Sequence, residues 1–130
     1  MTSHLYLGYH HNWSGNPNFR RHWVLFLTAN RGSDEGTVYD VVDLDENGVW
    51  QRRKRKNRNL NESGTYQDKV ILGQVQNDKV SEMEEVMDQM GLPTNGERCQ
   101  DWVTKVIKAL VEKSIVNNRA LAYMNMAPST

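Results

Sequence analysis

Short apolar blocks separated by polar, turn-forming residues run along the first part of the chain, and they predict β-strands. Four blocks fit this pattern: Leu5–Tyr9, His22–Ala29, Thr37–Asp43 and Val70–Val75. The second block is apolar on both of its alternating faces, as in a central strand that is covered on two sides. The pair Asn47 and Gly48 is a two-residue hairpin signal that leads into a further strand from Val49 to about Lys56. Together these strands predict an antiparallel meander.

From Asp78 onward the apolar residues recur at helical spacing. One stripe contains Val80, Met83, Val86, Met87 and Met90. Asp78 suits the N-cap of this helix, and Gly91 with Pro93 ends it. A second helix follows Pro93, where Thr94–Glu97 fits a capping box, and its apolar stripe starts at Cys99. Residues 119–126 form a last short strand or helix. The pattern predicts an α+β fold with an antiparallel sheet of about four to six strands packed against two main helices.

Length and composition exclude several classes of protein. The 130 residues, 15.1 kDa, suit a single domain over residues 1–130. Sixteen basic and sixteen acidic residues give a formal net charge of zero, so no overall field attracts a polyanion. One cysteine excludes an internal disulfide and a cysteine-rich zinc site. No apolar stretch reaches the roughly 18 residues of a membrane span, and the N-terminus lacks the pattern of a secretion signal. We expect an intracellular, cytoplasmic protein.

Cys99 is the strongest candidate for chemistry. The unpaired amides at a helix N-terminus favour a thiolate, and a neighbouring imidazolium favours it further. His22 opens the central strand and Asp40 lies in the next one. Because paired strands lie about 5 Å apart, these side chains are expected to meet beside Cys99 as base and orienting group. The alternative is structural: a cysteine that opens an apolar stripe is often core, and a strand histidine is often a hydrogen-bonded structural residue.

Three segments carry a resemblance to a known group of proteins. Arg21–Leu27, Val38–Val42 and Arg98–Val103 resemble the circularly permuted papain-like proteins of the NlpC and lecithin:retinol acyltransferase-like families. The resemblance implies a permuted papain-like fold that transfers acyl groups or cleaves amides through a cysteine thioester. In it Cys99 is the nucleophile, His22 the general base and Asp40 the third member. Arg98 stands where many relatives have Asn, and Asp40 where the acyltransferases have a second His. The layout is also similar to a small uncharacterised domain of fungal genomes.

Further candidates surround this triad and the N-terminal strand. Trp102, one turn after Cys99, Trp23 and Arg98 are candidate walls of a substrate pocket. His10 and His11, with His4 nearby, lack a cysteine or carboxylate at ligand spacing, and they are interpreted as a polar loop. Because thiol catalysis needs neither a metal nor an organic cofactor, we expect neither.

A basic run contains six positive charges within residues 52–58. Its members are Arg52, Arg53, Lys54, Arg55, Lys56 and Arg58. The run fits a nuclear localisation signal or a phosphate-binding patch. Outside it the chain carries ten basic and sixteen acidic residues, a net charge of −6, so the acidic residues of the first helix are available partners. Without interleaved aromatic residues, a solvated hairpin end is favoured over a nucleic-acid site.

Two functions follow from the sequence. The first is a cysteine-dependent enzyme that transfers an acyl group or hydrolyses an amide or ester of a small molecule or peptide. The second is a catalytically inactive binding or self-association module of the same fold, which uses the methionine-rich helix or the basic hairpin.

Overall fold

A computed structural model describes residues 1–12, 20–43, 49–94 and 96–130. In these ranges one antiparallel sheet contains β1 (Thr2–His10), β2 (Trp23–Thr28), β3 (Glu35–Val42), β4 (Gln51–Asn59) and β5 (Tyr66–Gln76). The helices are α1 (Val80–Gln89), α2 (Cys99–Glu112) and α3 (Arg119–Met124). Short 3₁₀ turns occupy Leu60–Glu62 and Asn77–Lys79. The predicted α+β class, with a sheet of four to six strands against two main helices, is confirmed.

The strand order is β4-β3-β2-β1-β5, so the prediction of a continuous meander is wrong for the last strand. The first four strands pair in sequence order, but β5 returns to the far side of β1. A physical reason is that β4 is highly charged and suits an exposed edge, whereas Leu5 and Leu7 of β1 are fully buried and need neighbours on both sides. The predicted hairpin pair, Asn47 and Gly48, lies outside the described residues.

Both faces of β2 are covered, as its sequence predicts. Leu25 faces the helices, in a core that includes Leu5, Leu7, Tyr39, Met83, Val103, Ile107 and Leu110. Phe26 and Val24 face the other way, in a smaller cluster with Tyr6, Val38 and Leu60. Alternate residues of β2 are thus buried in two separate hydrophobic clusters, one on each face of the sheet. Residues of β3 alternate in the same way, which places Asp40 on the side away from the helices.

The first helix begins later than predicted, but its apolar stripe is confirmed. A 3₁₀ turn precedes it, so Lys79 and not Asp78 is the N-cap. Met83 and Met87 are buried in the core against α2. The centre of the methionine stripe is therefore internal packing, while Val80 and Met90 at its two ends are partly exposed.

The second helix also begins later than predicted, at Cys99. Thr94 and Glu97 do bond to each other, since the Glu97 amide donates to the Thr94 carbonyl at 3.0 Å, but they form a turn before the helix. The extended residue Arg98 is the N-cap, and its amide donates to Asp101 Oδ2 at 2.7 Å. Cys99 is consequently the first helical residue, at the positive end of the helix dipole.

A β-bulge interrupts the pairing of β3 with β4. Arg53 and Arg55 pair with Asp40 and Val38, and after a register shift Arg58 pairs with Gly36. Lys56 and Asn57 together face one residue of β3, and Asn57 has a φ of 54°. Because of this extra residue all three arginines lie on one face of β4. The basic run thus belongs to a mostly exposed edge strand that pairs with β3, and Arg53 and Arg55 are the less exposed members of it.

The bulge gives a stability prediction for Asn57. A β-branched side chain is strained at positive φ, so we expect Asn57→Val to destabilise the protein by about 1–2 kcal/mol. Glycine adopts positive φ without strain, so Asn57→Gly is expected to change the free energy of unfolding by less than about 0.5 kcal/mol. Urea unfolding of the two variants measures the difference. Equal stabilities would contradict the left-handed conformation.

Candidate functional site

His22 and Asp40, predicted to meet, are in direct contact. His22 lies immediately before β2, and its Nε2 is 2.9 Å from Asp40 Oδ2 in β3. The antiparallel pairing of Leu25 with Tyr39 brings the start of β2 beside the middle of β3. Asp40 is fully buried, while about 29% of the His22 side chain is exposed. One edge of the imidazole is therefore fixed from inside the protein.

Two arginines of β4 complete the surroundings of Asp40. Arg53 binds it through two hydrogen bonds, from Nε to Oδ1 at 3.0 Å and from Nη2 to Oδ2 at 2.7 Å. Arg55 Nη2 lies 3.4 Å from Oδ2. Burial alone raises the pKa of Asp40, but the hydrogen bonds from His22 and Arg53 outweigh it and lower that pKa to about 2. Asp40 is therefore ionised at neutral pH.

Cys99 reaches the same place from the helix side. Its sulfur is 3.8 Å from the carbonyl oxygen of Arg21, and only 6% of the residue is exposed. The thiol also lies close enough to the His22 ring to raise the pKa of that ring. Since Nε2 of that ring faces Asp40, Nδ1 is the nitrogen available to the sulfur. The structure thus brings Cys99, His22 and Asp40 together in the order that the sequence predicts.

The protonation of His22 follows from these contacts. Burial lowers the pKa of His22, whereas its hydrogen bond with Asp40 and its interaction with Cys99 raise it. The net effect is an increase from 6.5 to about 9. At neutral pH the ring is therefore an imidazolium, with one N–H directed to the carboxylate and the other available to the sulfur.

A second histidine adjoins the site and was missed in the sequence. The ring centroids of His10 and His22 are 5.0 Å apart in an edge-on arrangement, and His10 Nδ1 is 2.5 Å from Thr65 Oγ1. Burial, and then the charge of His22, lowers the pKa of His10 to about 4, so this ring is neutral. Its position follows from the strand register, because the pairing of Tyr9 with Trp23 puts residue 10 opposite residue 22. The two apolar blocks in the sequence predict both strands but not this register. His10 ends a strand and does not belong to the polar loop assigned to it.

The last residues of the chain hold the site together. Gln100 Nε2 donates to the carbonyl oxygens of Arg21 at 2.9 Å and Ser129 at 2.8 Å. The Arg21 amide donates to Ser129 O at 3.1 Å, and Trp23 Nε1 donates to Pro128 O at 3.0 Å. These bonds tie the residues on either side of His22 to the first turn of α2. They help to hold the His22 ring close to the Cys99 sulfur.

An open cavity of about 1240 Å³ adjoins these residues. Cys99, His22 and His10 line it together with five arginines: Arg20, Arg53, Arg55, Arg58 and Arg98. Arg98 thus lies where it was predicted, beside Cys99. Trp23 and Trp102 instead lie in the helix-side core, 6% and 2% exposed, and they are not among the residues that line the cavity.

The basic run divides between the two faces of β4. Arg53, Arg55 and Arg58 line the cavity, whereas Lys54 Nζ is 2.6 Å from Glu84 Oε2 of α1, and Arg52 Nη1 donates to the Met90 carbonyl at 3.4 Å. The expected pairing of the basic run with acidic residues of the first helix therefore occurs on the face of β4 that carries Lys54, and not on the face that lines the cavity.

The part of the chain that the structure describes contains neither a cluster of metal-ligating side chains nor a membrane-spanning helix. Within residues 1–12, 20–43, 49–94 and 96–130, no group of three or more His, Cys, Asp or Glu side chains is arranged to hold a metal ion. In that part of the chain, no helix combines the length and apolar character needed to cross a bilayer.

The fold and the site define an α+β domain in which a cysteine, a histidine and an aspartate meet at an arginine-lined cavity. The chain belongs to a family of unknown function, DUF6540, whose model matches residues 8–117. That range contains all three site residues. Comparison with curated proteins and with solved structures gave no match.

Proposed function

We propose that this protein is a cysteine-dependent enzyme that transfers an acyl group or hydrolyses an amide or ester. The observation that carries the proposal is the convergence of Cys99, His22 and Asp40 from three separate elements beside one cavity. A nucleophile, a proton carrier and an orienting carboxylate are the parts that thiol catalysis requires. The resemblance of the motifs to the permuted papain-like proteins favours the same chemistry.

The reaction proceeds in two halves. In the starting state His22 is an imidazolium that already holds the thiol proton on Nδ1, and the Cys99 thiolate attacks the carbonyl carbon while the π-electron pair moves to oxygen. As the carbonyl re-forms, the bond to the leaving amine or alcohol breaks, and the leaving group takes the proton from His22. Water or an acceptor nucleophile then attacks the thioester and gives its proton to His22, and the sulfur departs as thiolate. Asp40 holds the imidazole and balances its positive charge.

The start of α2 supplies donors for the oxyanion. The amides of Asp101 and Trp102 bond to the Arg98 carbonyl at 3.0 and 3.3 Å. Among the described hydrogen bonds, the amides of Cys99 and Gln100 have no acceptor, as expected for the first positions of a helix. These two N–H groups adjoin the sulfur at the positive helix end, where negative charge on an attacked carbonyl oxygen is stabilised.

The alternative function is a catalytically inactive binding module. The near-complete burial of Cys99 and the direction of its sulfur towards the Arg21 carbonyl favour it, since both are typical of a structural cysteine. In this case the cavity-facing side of β4, and not the buried methionine stripe of α1, is the binding surface.

Alkylation of Cys99 by iodoacetamide separates these two functions. The chain contains one cysteine, so the rate of modification reports on this sulfur alone. If the thiol is activated, the pH at which the alkylation rate of the wild-type protein is half-maximal should lie well below about 8.5, the pKa of an ordinary cysteine. His22→Ala removes the imidazolium and is expected to shift the midpoint upward.

His4→Gln is the matched control, because it removes an imidazole at the opposite end of β1 and leaves the site intact. Its profile is expected to overlay that of the wild-type protein. If the wild-type and His22→Ala profiles coincide near the behaviour of free cysteine, the enzyme proposal is wrong and the binding module is favoured.

A further inference from the structure

The cavity-facing side of β4 carries more positive charge than the site uses. Arg53, Arg55 and Arg58 project to this face because the bulge at Asn57 restores the alternation between Arg55 and Arg58. Without the extra residue, Arg58 would belong to the opposite face of the strand. The bulge therefore adds a third guanidinium to the cavity that leads to Cys99.

The charges around Asp40 do not balance. One carboxylate accepts from His22 and Arg53 and lies 3.4 Å from a nitrogen of Arg55. The Nε of Arg55 is buried with no hydrogen-bond partner. Arg58 has no carboxylate within ion-pair distance among the residues that the structure describes. Burial lowers the pKa of Arg55 and the charge of Asp40 raises it, while the neighbouring charges of Arg53 and Arg58 act in the same direction as burial, so that the net effect is a lower pKa.

We propose that this surface binds the anionic group, a carboxylate or a phosphate, of the substrate that Cys99 attacks. Arg55 and Arg58 are the contact residues, because Arg53 is already committed to Asp40 through two hydrogen bonds. A planar guanidinium donates two parallel hydrogen bonds to either anion. The assignment of the anion to a substrate rests on the proposed function, whereas anion binding itself does not.

The composition of the cavity favours a small anion over a nucleic acid. Asp43, Glu62 and Glu97 also line it, so the excess positive charge is concentrated along β4 and does not extend over the whole cavity. A single anionic group satisfies Arg55 and Arg58 without bringing further phosphates against these carboxylates. The preferred substrate is thus a small acyl compound that carries one carboxylate or phosphate.

Titration with two probe anions tests the binding surface. Inorganic phosphate and succinate are added separately to the wild-type protein, with sodium chloride at matched ionic strength as reference, and amide chemical shifts report binding. We expect at least one probe to bind, and the stronger one identifies the class of anion. Arg58→Gln is expected to weaken that binding about tenfold, the effect of one charge-assisted hydrogen bond. Arg55→Gln, if it folds, is expected to act in the same direction.

Lys56→Gln is the matched control, since it removes one charge from the same strand but not from the lining of the cavity. It is expected to bind the anion as the wild-type protein does. Binding of neither probe above the chloride reference would overturn the proposal. Equal weakening in Lys56→Gln and Arg58→Gln would also overturn it, because the effect would then be general electrostatics.

The link to Cys99 is tested by comparing anionic iodoacetate with neutral iodoacetamide. We expect the ratio of their rates, normalised to that of free cysteine, to exceed one in the wild-type protein and in Lys56→Gln. It should fall in Arg58→Gln. An unchanged ratio would overturn the assignment of the anion to the substrate of Cys99. Loss of thiol activation is detected separately, by the pH profile of iodoacetamide alone, so failure of the enzyme proposal is distinguishable from failure of anion binding.

Discussion

Replacement of Asp40 by alanine is expected to lower the free energy of unfolding by about 3–5 kcal/mol, the cost of removing one partner of a buried ion pair. Asp40 is fully buried and accepts hydrogen bonds from His22 and from Nε and Nη2 of Arg53. Without the carboxylate, the positive groups of His22, Arg53 and Arg55 face each other beside an apolar cluster. Urea unfolding at neutral pH measures the effect.

Asp34→Ala is the matched control for this prediction. The Asp34 carboxylate pairs with Lys69 and accepts from Asn61, but its side chain is 34% exposed. Because Lys69 is 11% exposed, this pair lies between a surface pair and a buried one, and the variant is expected to lose about 1–2 kcal/mol, less than Asp40→Ala. If Asp40→Ala costs no more than Asp34→Ala, the buried network does not have the role assigned to it.

The cost of Asp40→Ala is also expected to depend on pH. The pKa of Asp40 is lowered from 3.8, so its stabilisation is present above that value and is lost as the pH falls through about 2. The pKa of His22 is raised from 6.5, so its stabilisation is complete below 6.5 and is lost as the pH rises through about 9. The difference in stability between the two proteins should therefore be largest between about pH 4 and 6.5. A difference that is independent of pH would show that packing, and not charge, explains the loss.

The sequence predicted those elements whose burial is decided by local periodicity. The two-sided apolar pattern of β2 and the stripe of α2 each specify which residues turn inward, and both were confirmed. The position of β5 was not predictable in the same way. Alternation determines the two faces of a strand but not its neighbour in the sheet, and β5 pairs with β1, from which three other strands separate it along the chain.

Local periodicity also explains why part of the candidate site was predicted from the sequence. Cys99, His22 and Asp40 lie at ends or centres of elements with clear periodicity, so their approach followed from strand pairing and the start of a helix. The role of Arg53 was not found, because the basic run was interpreted as one charged unit. Only the register of β4 on β3 places Arg53 opposite Asp40 and separates it from Lys54, which faces α1.

His22→Ala is expected to slow acylation of Cys99 by the activated ester p-nitrophenyl acetate by about 10²–10⁴-fold, the usual contribution of a positioned acid–base group. The imidazole receives the thiol proton and supplies the cation that stabilises the attacking sulfur, and alanine provides neither. Intact-protein mass spectrometry measures the acetylated fraction with time. Cys99→Ser is expected to show no acetylation at this position within the same period.

The His22→Ala variant also distinguishes a chemical role of the imidazole from a structural one. Free imidazole added to the variant is small enough to enter the cavity beside Asp40, where it accepts the same proton, so it is expected to restore part of the acylation rate. His4→Gln, with its substitution at the far end of β1, should react as the wild-type protein does and should not respond to imidazole. A rate in His22→Ala equal to that of the wild-type protein would contradict general-base catalysis. A slow rate that imidazole leaves unchanged would show that His22 acts through the structure alone, because only a group that carries the proton can be replaced by a diffusible one.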